Sequence, residues 1–397
     1  MHIAVVSLGA FGHVNPTLSV VTELVRRGVR VTYFTTENFR NIVEPTGADF
    51  VPVKSWMAEN DKHNEDKKDD QPEENVAAVV PFLFLNEAGA YIDDILAVLE
   101  KDKPDAIMHD FAGIAGTMAA DILKVPNIMI YTSYPSNESY SVAESFESVP
   151  ADHPLRIAAA QIAQGYAEKY GCRNMTVKEI FDGQGDLNLV MMQKRLVPNN
   201  ESFGDNFVFT GVQIGKRTAF GSWKAPDNGK PLLYSSLGTA FNNWPEYYPI
   251  LFDAVRDLNI NVFAALGAID PASLKDIPAN VEVAQMVPQL DILSQASVFI
   301  THAGMGGTGE AIYYGVPMIA IPQMDEQAIT ARQIEKTGLG VAFLDKNAIT
   351  SEKLKAAIIK LLEDPSYKNT ADDFSADMKS LGGSKASADA IMQFLKK

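Results

Sequence analysis

The sequence predicts an α/β protein of two successive Rossmann-like domains, each with a doubly wound parallel sheet. The first observation is a continuous apolar run at residues 2–7, typical of a parallel strand covered on both faces. A second run of this type starts at residue 231, in the other half of the chain. The third is length, because 397 residues with 46% hydrophobic side chains suffice for two cores. Ligands of such domains bind at the carboxyl ends of the strands, so we expect two ligand sites facing each other across a cleft.

The amino-terminal half follows a strand, helix, strand order. After the first strand, Asn15 and Pro16 suit the cap and the first turn of a helix. Apolar residues then recur at helical spacing, Gly28 ends the helix, and residues 29–35 form the next strand. The alternation continues with a strand at 105–109, a helix at 114–123 and a strand at 127–131.

The carboxyl-terminal half repeats this organisation. Its later strands are expected at residues 262–266, 281–284, 298–301 and 318–321. A stretch rich in Asn, Gly and Pro, residues 197–229, separates the two halves and marks the domain junction. We therefore predict domains at residues 1–210 and 211–379.

Composition excludes several classes of partner. With a net charge of −16 and no localised basic patch, the chain is unsuited to nucleic acid or to an anionic membrane surface. The single cysteine, Cys172, excludes an internal disulfide framework. No charged leader precedes the first strand and no apolar run approaches the roughly 20 residues of a membrane span, so we expect a cytoplasmic protein. Residues 54–74 are too charge-dense to pack, and predict either a solvated surface loop or a flap near a ligand entrance.

The segment at residues 297–310 predicts an anion site. A short apolar run at 297–301 is typical of a buried strand, and it places His302 at the strand's carboxyl end. A glycine-rich turn at 304–308 follows, and then a helix from Glu310. Exposed backbone amides and the positive end of the helix dipole both favour negative charge. The segment therefore predicts a phosphate or pyrophosphate site.

Three motifs show a resemblance to a known family. They are GAFGHVNPTLSVVTELVRRGVRVTYFT from residue 9, LLYSSLGT from residue 232, and VPQLDILSQASVFITHAGMGGTGEAIYYGVPMIAIPQMDEQ from residue 287. Together they resemble the GT-B-fold UDP-glycosyltransferases, close to the bacterial macrolide and flavonoid glycosyltransferases, over nearly the whole chain. The resemblance implies a GT-B fold and transfer of a hexose from a UDP-sugar to a hydroxyl group of a small lipophilic acceptor. It also implies that the terminal segment, about residues 380–397, packs back on the first domain.

Such a transfer needs a base that takes the proton of the acceptor hydroxyl. On position alone, His13 could be this base or a capping or surface residue, and Asp110 could fix the imidazole or merely cap a helix. The resemblance implies a catalytic dyad, with His13 as general base and Asp110 as its partner. Because no carboxylate is evidently placed as a nucleophile, we expect one in-line displacement with inversion.

The resemblance places the donor on the second domain. It implies that His302 and the glycine-rich turn bind the two phosphates, that Glu310 binds the ribose, and that Glu326 and Gln327 bind the sugar. His302 could instead be an ordinary buried histidine, and Asp325 leaves open which carboxylate points inward. The complete donor-binding set is Gly12, Gly238, Thr239, Met286, Val287, Gln289, His302, Gly304, Gly306, Gly307, Thr308, Glu310, Asp325, Glu326 and Gln327.

The sequence departs from the family pattern in two motifs. Many members stack the uracil on tryptophan in W-x-P-Q, whereas Met286 occupies that position here. Methionine packs less rigidly, so base selectivity could differ, with UDP still the expected nucleotide. The plant-type Asn-Ser pair is replaced by Gly306-Gly307-Thr308, as in the bacterial subgroup, so phosphate contacts should depend more on backbone amides.

The acceptor site is less determined. Aromatic side chains of the first domain that could line it, or could equally be core, are Phe11, Phe82, Phe84, Phe111, Tyr131 and Tyr134. They favour a flat or greasy alcohol or phenol, with glucose as the expected donor sugar. The sequence has no D-x-D, no H-E-x-x-H and no Cys/His cluster, so we predict catalysis without a metal or another cofactor. We expect a monomer.

Two other functions remain open on the sequence. The βαβ start, with Glu37 just past the second strand, would suit a nicotinamide-dependent oxidoreductase, although the first turn lacks the G-x-G-x-x-G spacing. The second alternative is a catalytically silent nucleotide-sugar-binding protein, against which the intact His13 and Asp110 argue.

Overall fold

The computed structural model describes residues 1–61, 76–215, 221–238 and 244–396. The chain divides into two compact units, the first comprising Met1–Gln213 with Gly382–Lys397 and the second comprising Ile214–Leu381. The sequence placed the corresponding boundaries after residues 210 and 379. Each unit contains one parallel sheet, which confirms the predicted fold class of two Rossmann-like α/β domains.

The sheet of the first unit has seven parallel strands. They are β1 His2–Val6, β2 Arg30–Thr36, β3 Asp49–Val53, β4 Ala106–Asp110, β5 Asn127–Tyr131, β6 Leu187–Val190 and β7 Phe207–Phe209. Their order in the sheet is β3-β2-β1-β4-β5-β6-β7. β1 is buried along its whole length, because it pairs with β2 and β4 and lies between two layers of helices.

Helices cover both faces of this sheet. They are α1 Phe11–Arg26, α2 Arg40–Val43, α3 Trp56–Asp61, α4 Val76–Leu99, α5 Ile114–Leu123, α6 Ala143–Glu147, α7 Pro154–Tyr170, α8 Val177–Asp182 and, at the chain end, α15 Gly383–Phe394. One core, with Ile92 and Ile107, lies between the sheet and α4. The other, with Leu24 and Ile391, lies between the sheet and the pair α1 and α15.

The first helix starts earlier than the sequence indicates. The expected start, with Pro16 in the first turn, is wrong, because α1 begins at Phe11 and includes Pro16. Val14 is fully buried, and this burial against the sheet requires helical backbone before the proline. Proline removes the hydrogen bond to the carbonyl of Gly12, but Gly12 is exposed and water can hydrate that group. His13 consequently lies in the first turn of α1.

The charge-dense segment at residues 54–74 is only partly a loop. Trp56–Asp61 forms the short helix α3, whereas a loop was expected there. The Ser55 hydroxyl accepts a hydrogen bond from the amide of Ala58 at 3.1 Å, which caps the helix in spite of its polar sequence. Residues 62–74 lie outside the described part of the chain, so the expectation of a loop or flap there stays a prediction.

The second unit has a six-stranded parallel sheet. Its strands are β8 Leu232–Ser236, β9 Asn261–Ala265, β10 Val281–Ala284, β11 Val298–Thr301, β12 Met318–Ala320 and β13 Gly340–Ala342, in the order β10-β9-β8-β11-β12-β13. Its helices are α9 Tyr247–Val255, α10 Gln289–Leu293, α11 Met305–Tyr314, α12 Asp325–Lys336, α13 Ser351–Glu363 and α14 Pro365–Ser380. Among the described residues of both units, no helix combines the length and the apolar character needed to cross a membrane.

Helix α11 also starts earlier than expected. The sequence placed a turn at residues 304–308 and a helix from Glu310, whereas the helix begins at Met305. The amide of Thr308 donates to the carbonyl of Gly304 at 3.0 Å, which closes a helical turn inside the glycine-rich segment. Glycine disfavours helix locally, but the burial of Thr308 and Glu310 overrides that preference. The glycine-rich amides therefore belong to a helix N-terminus.

The carboxyl-terminal helix α15 packs on α1 within the first unit. Ala388 and Ile391 are fully buried and share a core with Leu24. At the edge of this contact, Arg27 forms an ion pair with Asp389. Apolar burial supplies most of the stabilisation, because exposed ion pairs contribute little.

Replacing Ile391 by alanine should lower the free energy of unfolding of the first unit by about 2–5 kcal/mol, because a cavity remains between α15 and the core. The control is Ile157→Ala on α7, where the side chain is 44% exposed and its loss should have little effect. Urea unfolding followed by circular dichroism measures both. Equal losses in the two variants would show that α15 does not stabilise the first unit.

Candidate active site

Two polar side chains meet at the carboxyl edge of the first unit's sheet. Asp110 is the last residue of β4, and His13 lies in the first turn of α1, after β1. β1 and β4 are paired, with Val6 beside His109, so both strands end at the same edge. Nδ1 of His13 lies 2.6 Å from Oδ2 of Asp110. The fold thus brings together the two residues that the resemblance implied as a dyad.

Asp110 is a buried carboxylate with its negative charge balanced locally. Burial raises the pKa of Asp110, but the imidazoles of His13 and His109 and the amide of Gly113 outweigh it, so the pKa lies below its ordinary value. Oδ1 accepts hydrogen bonds from the amides of Ala112 and Gly113, each at 3.0 Å. An ionised carboxylate only accepts, so Nδ1 of His13 carries the proton and Nε2 is the basic nitrogen of the neutral ring. The side chain of His13 is 19% exposed, which leaves it accessible to a substrate.

His109 fixes the backbone beside Asp110. Its Nδ1 donates to the carbonyl of Asp110 at 2.8 Å, and its Nε2 lies 2.7 Å from Oδ1 of Asn127 and 3.2 Å from Oγ1 of Thr117. A Cβ at Gly116 would lie 2.7 Å from the His109 side chain, so α5 can approach only with glycine there. The sequence analysis did not single out His109. The feature that could have indicated it is a polar side chain at the end of the apolar run of β4.

Aromatic rings lie beside the dyad. The ring of Phe111 is 5.8 Å from that of His13, and Phe84 lies 6.0 Å from Phe111. Phe181, which the sequence did not single out, lies 5.9 Å from Phe111. All three phenylalanines belong to or pack on the core beneath α4. Together they give the imidazole an apolar neighbourhood.

The other aromatic candidates differ in accessibility. Phe11 is 40% exposed, and Phe82 is half-buried with its ring 6.0 Å from that of Trp56. Tyr131 and Tyr134 are each 3% exposed and lie within the protein. Phe11 and Phe82 therefore offer surface to a ligand, whereas an acceptor contact by either tyrosine stays a prediction.

In the second unit, His302 and Gly238 meet at the carboxyl edge of the sheet. His302 follows β11, and Gly238 follows β8. These two strands pair with each other, and Thr301 of β11 lies beside Ser236 of β8. A Cβ added to Gly238 would lie 2.8 Å from the imidazole, and one added to Gly304 would lie 2.3 Å from Nε2. Gly238 also has a φ of 90°, in the region that favours glycine. The imidazole of His302 therefore requires glycine on both sides.

The turn between β11 and α11 holds a strained conformation. Ala303 has a φ of 63°, which costs a residue other than glycine on the order of 1 kcal/mol. The hydroxyl of Thr301 accepts a hydrogen bond from the amide of Ala303 at 3.1 Å and supports this geometry. Strained turns of this kind persist where the surrounding structure fixes them, and here the turn sets the direction of His302.

The N-terminus of α11 supplies donors for an anion. Gly304 is the N-cap, and the amides of Met305, Gly306 and Gly307 belong to the first turn, where the helix itself provides no acceptor. The helix dipole adds partial positive charge at this end. Oγ1 of Thr308 is buried and has no hydrogen-bond partner within the described part of the chain. The arrangement suits phosphate oxygens.

His302 is neutral in the resting protein. Burial lowers the pKa of His302 to about 4, and a hydrogen bond with the backbone of Ser236 opposes this only partly. At neutral pH the imidazole is therefore uncharged and carries one N–H group.

A hydrogen-bonded chain holds Glu310 in place. Glu310 is 3% exposed, and its Oε2 accepts a hydrogen bond from Nε2 of Gln289 at 2.6 Å. Oε1 of Gln289 accepts in turn from the hydroxyl of Tyr234 at 2.9 Å, and the ring of Tyr234 stacks on Phe299 at 4.9 Å. The structure thus joins two donor candidates, Gln289 and Glu310. Tyr234 was missed, although it lies within the motif LLYSSLGT.

The residues expected to bind the uracil ring and those expected to bind the sugar differ in their exposure. Met286 follows β10 and is 45% exposed, and Val287 beside it is half-buried. An apolar surface is therefore available to the nucleobase of a donor. Gln327 is 8% exposed, and its Oε1 accepts a hydrogen bond from the amide of Gln323 at 2.8 Å. The side chain of Gln327 therefore caps its own helix in this structure.

Some candidates are not positioned by the described residues. Thr239 lies outside the described part of the chain, as do the side chains of Asp325 and Glu326 at the start of α12. A Cβ added at Gly12 or Gly306 would meet no atom of the described residues within 4 Å, so no contact among them requires glycine at either position.

Comparison with known proteins identifies the family. Residues 249–389 match the family described as Erythromycin biosynthesis protein CIII-like, C-terminal domain. The NDP-glycosyltransferase YjiC of Bacillus licheniformis is 35% identical over 99% of this chain and 98% of its own. The NDP-glycosyltransferase YjiC of Bacillus subtilis is 36% identical over 100% of this chain and 98% of its own. A crystal structure of the glycotransferase of kitacinnamycin superposes with a TM-score of 0.87 at 28% identity, and covers 99% of this chain and 98% of that one.

These matches span both units, including the strand ends that carry His13, Asp110 and His302. The oxidoreductase alternative is thereby excluded. The chain belongs to the bacterial macrolide-type glycosyltransferases with the GT-B fold, and it is a glycosyltransferase of the kind that uses nucleoside-diphosphate sugars.

Proposed function

We propose that this enzyme transfers glucose from UDP-glucose to a hydroxyl group of a small lipophilic acceptor, such as a flavonoid or a macrolide, with inversion at the anomeric carbon. The observation that carries the proposal is the 2.6 Å hydrogen bond between His13 and the buried carboxylate of Asp110. An imidazole oriented in this way is suited to act as the base for an alcohol.

The chemical step is a single displacement. Nε2 of His13 takes the proton of the acceptor hydroxyl while that oxygen attacks the anomeric carbon. The bond between this carbon and the diphosphate oxygen breaks, and the nucleoside diphosphate leaves with the electron pair. The carboxylate of Asp110 stabilises the imidazolium that forms. Attack from the side opposite the leaving group converts an α-linked donor into a β-glycoside.

The second unit stabilises the leaving group. Negative charge develops on the diphosphate as the bond breaks, and fixed donors lower the barrier most at such a position. We assign this role to the neutral imidazole of His302, the first-turn amides of α11 and the hydroxyl of Thr308. Glu310, held by Gln289, is an acceptor suited to ribose hydroxyls.

Met286 and Gln327 complete the donor assignment. The exposed thioether of Met286 supports the uracil ring less rigidly than tryptophan would, which favours tolerance of other bases. To bind the sugar, the side chain of Gln327 exchanges its hydrogen bond with the Gln323 amide for one with a sugar hydroxyl.

We also propose that no metal takes part. Backbone amides and a helix N-terminus already offer positive charge to the diphosphate. Within the described ranges, no group of three His, Cys, Asp or Glu side chains could hold a metal ion. The amides therefore take the role that a cation has in metal-dependent transferases.

The acceptor class follows from the apolar surface near the base. Phe111 lies beside His13 and Phe84 lies beside Phe111, and a flat ring system packs favourably on such a surface. The match to the erythromycin biosynthesis family and the similarity to the kitacinnamycin glycotransferase also support a natural-product acceptor.

A screen of donors against acceptors tests the function. The purified protein with UDP-glucose should add one hexose to flavonoid or macrolide hydroxyls, as read by mass spectrometry, and proton NMR should show the β-anomer. The rate should be unchanged by a chelator. Products with retained α configuration, or a strict Mg²⁺ requirement, would contradict the mechanism. UDP-glucose binding without transfer to any acceptor would favour a silent binding protein.

His13→Ala should lower the turnover rate roughly 10²–10⁴-fold, the usual contribution of general acid–base catalysis. The affinity for UDP-glucose, measured by calorimetry, should stay unchanged, because all of the expected donor contacts except Gly12 lie in the second unit. The control is His153→Asn, which removes an imidazole that caps α7 and preserves the capping group. Unaltered turnover in the His13 variant would remove this residue from the mechanism.

The lowered pKa of His302 predicts that the free energy of unfolding depends on pH. This pKa is about 4 in the folded protein against an ordinary value of 6.5. Between these values the unfolded chain binds a proton that the folded protein excludes, so the free energy of unfolding falls as the pH decreases from 6.5 to 4, by at most about 3 kcal/mol. His302→Gln should remove this part of the loss. Urea unfolding at pH 7 and pH 4 measures it, and identical losses in wild type and variant would disprove a buried neutral imidazole.

A further inference from the structure

Glu87 is a buried carboxylate that the proposed mechanism does not use. It lies on α4 with 1% of its surface exposed, and its Oε2 accepts a hydrogen bond from the amide of Met57 at 2.9 Å. Burial raises the pKa of Glu87, and hydrogen bonds from the Met57 amide, the Ser55 hydroxyl and the Trp56 backbone oppose the rise. These partners all lie at the start of α3. A buried carboxylate with such partners fixes the short helix to α4.

Helix α3 lies at the same edge of the sheet as the dyad. It begins soon after the carboxyl end of β3, and β3, β2 and β1 are consecutive parallel strands. Neighbouring strands are about 4.8 Å apart, so β3 lies roughly 10 Å from β1. This separation of the strands is longer than one phenol ring.

Two pairs of aromatic rings involve α4, one at α3 and one next to the dyad. Trp56 on α3 lies edge to face with Phe82 at 6.0 Å between ring centroids. Phe84, on the same helix as Phe82, lies 6.0 Å from Phe111, which is 5.8 Å from His13. The four rings of these two pairs are half-buried, so an apolar ligand can contact each pair.

Helix α4 carries both Glu87, which binds the amide of Met57, and Phe84, which lies 6.0 Å from Phe111 next to the dyad. Burial raises the pKa of Tyr91, and the charges of Glu87 and Asp110 raise it further. Tyr91 lies one turn after Glu87 on α4 and is 2% exposed. The same helix thus carries the attachment of α3 and forms part of the surroundings of the dyad.

We propose that Glu87 is a positioning residue for the acceptor, which holds α3 so that Trp56 and Phe82 form the outer wall of a site for flat, multi-ring alcohols and phenols. The inference rests on the proposed function, because it takes the reacting hydroxyl to lie at His13. A multi-ring acceptor contacts both His13 and Trp56, whereas a single-ring phenol contacts only the inner part of the site. Glu87 therefore determines selectivity for acceptor size, and the chemical step does not depend on it.

Glu87→Gln tests the role of the carboxylate. Glutamine keeps the shape but turns one acceptor atom into a donor that faces the donors of α3, so the hold on the helix weakens. The KM for a three-ring phenol should rise about tenfold, while the KM values for a single-ring phenol and for UDP-glucose stay within about twofold. The control is Glu59→Gln, which removes an exposed carboxylate of α3 and should leave all three constants unchanged.

Substitution of the wall itself gives a second test. Trp56→Ala should reproduce the selective rise in KM for the three-ring phenol, and Trp56→Phe should restore most of the affinity because an aromatic face remains. A rise in KM that is equal for both phenols, or the same in the Glu59 and Glu87 variants, would overturn the proposal.

Fluorescence separates this inference from the proposed function. The chain has three tryptophans, so the double substitution Trp223→Phe and Trp244→Phe leaves Trp56 as the only one. Saturable quenching by the three-ring phenol without donor, weakened by Glu87→Gln, supports the proposal. If that quenching occurs but no sugar is transferred, the proposed function fails and the acceptor wall stands. If sugar is transferred and Trp56 does not respond, the wall assignment is overturned.

Discussion

The parallel pairing of β1 with β4 is the constraint on which the chemistry of the first unit depends. The register that sets Val6 beside His109 brings the end of β4 next to the turn that leads into α1. Asp110 is buried there, and an unpaired buried carboxylate would cost several kcal/mol. The amides that follow the strand and the imidazole of His13 remove this cost together. The orientation of the proposed base is therefore a consequence of sheet register.

The two units use a histidine after a central strand in opposite ways. His13 lies against an ionised carboxylate, so the imidazolium that forms on proton uptake is stabilised. His302 lies between two glycines, and burial holds its pKa near 4, so it stays an uncharged donor. A group that must accept a proton needs a counter-charge, whereas a group that must only donate to phosphate oxygens does not. The neighbours of each imidazole, more than the fold, separate the proposed base from the proposed leaving-group ligand.

The strands that the sequence predicted lie within one residue of their observed bounds, because fully buried parallel strands consist of uninterrupted apolar runs. The sequence did not predict the strands β3, β6, β7 and β13. It misplaced the starts of α1 and α11, because Pro16 and the glycines at 306 and 307 signal turns locally while burial of Val14 and Thr308 imposes helix. The sequence indicated most residues of the candidate site that lie within the long motifs, but it missed Tyr234. The sequence did not predict the hydrogen bond between Tyr234 and Gln289, because these residues are far apart in sequence and only the folded chain brings them together.

The proposed dyad and the proposed acceptor wall depend on different parts of the first unit. The dyad is set by paired strands inside a seven-stranded sheet, where a shift in register would displace a whole core. Helix α3 has six residues and is attached to α4 through the carboxylate of Glu87. The proposed acceptor wall, attached through Glu87, would let the range of acceptors change while the paired strands keep His13 and Asp110 in place.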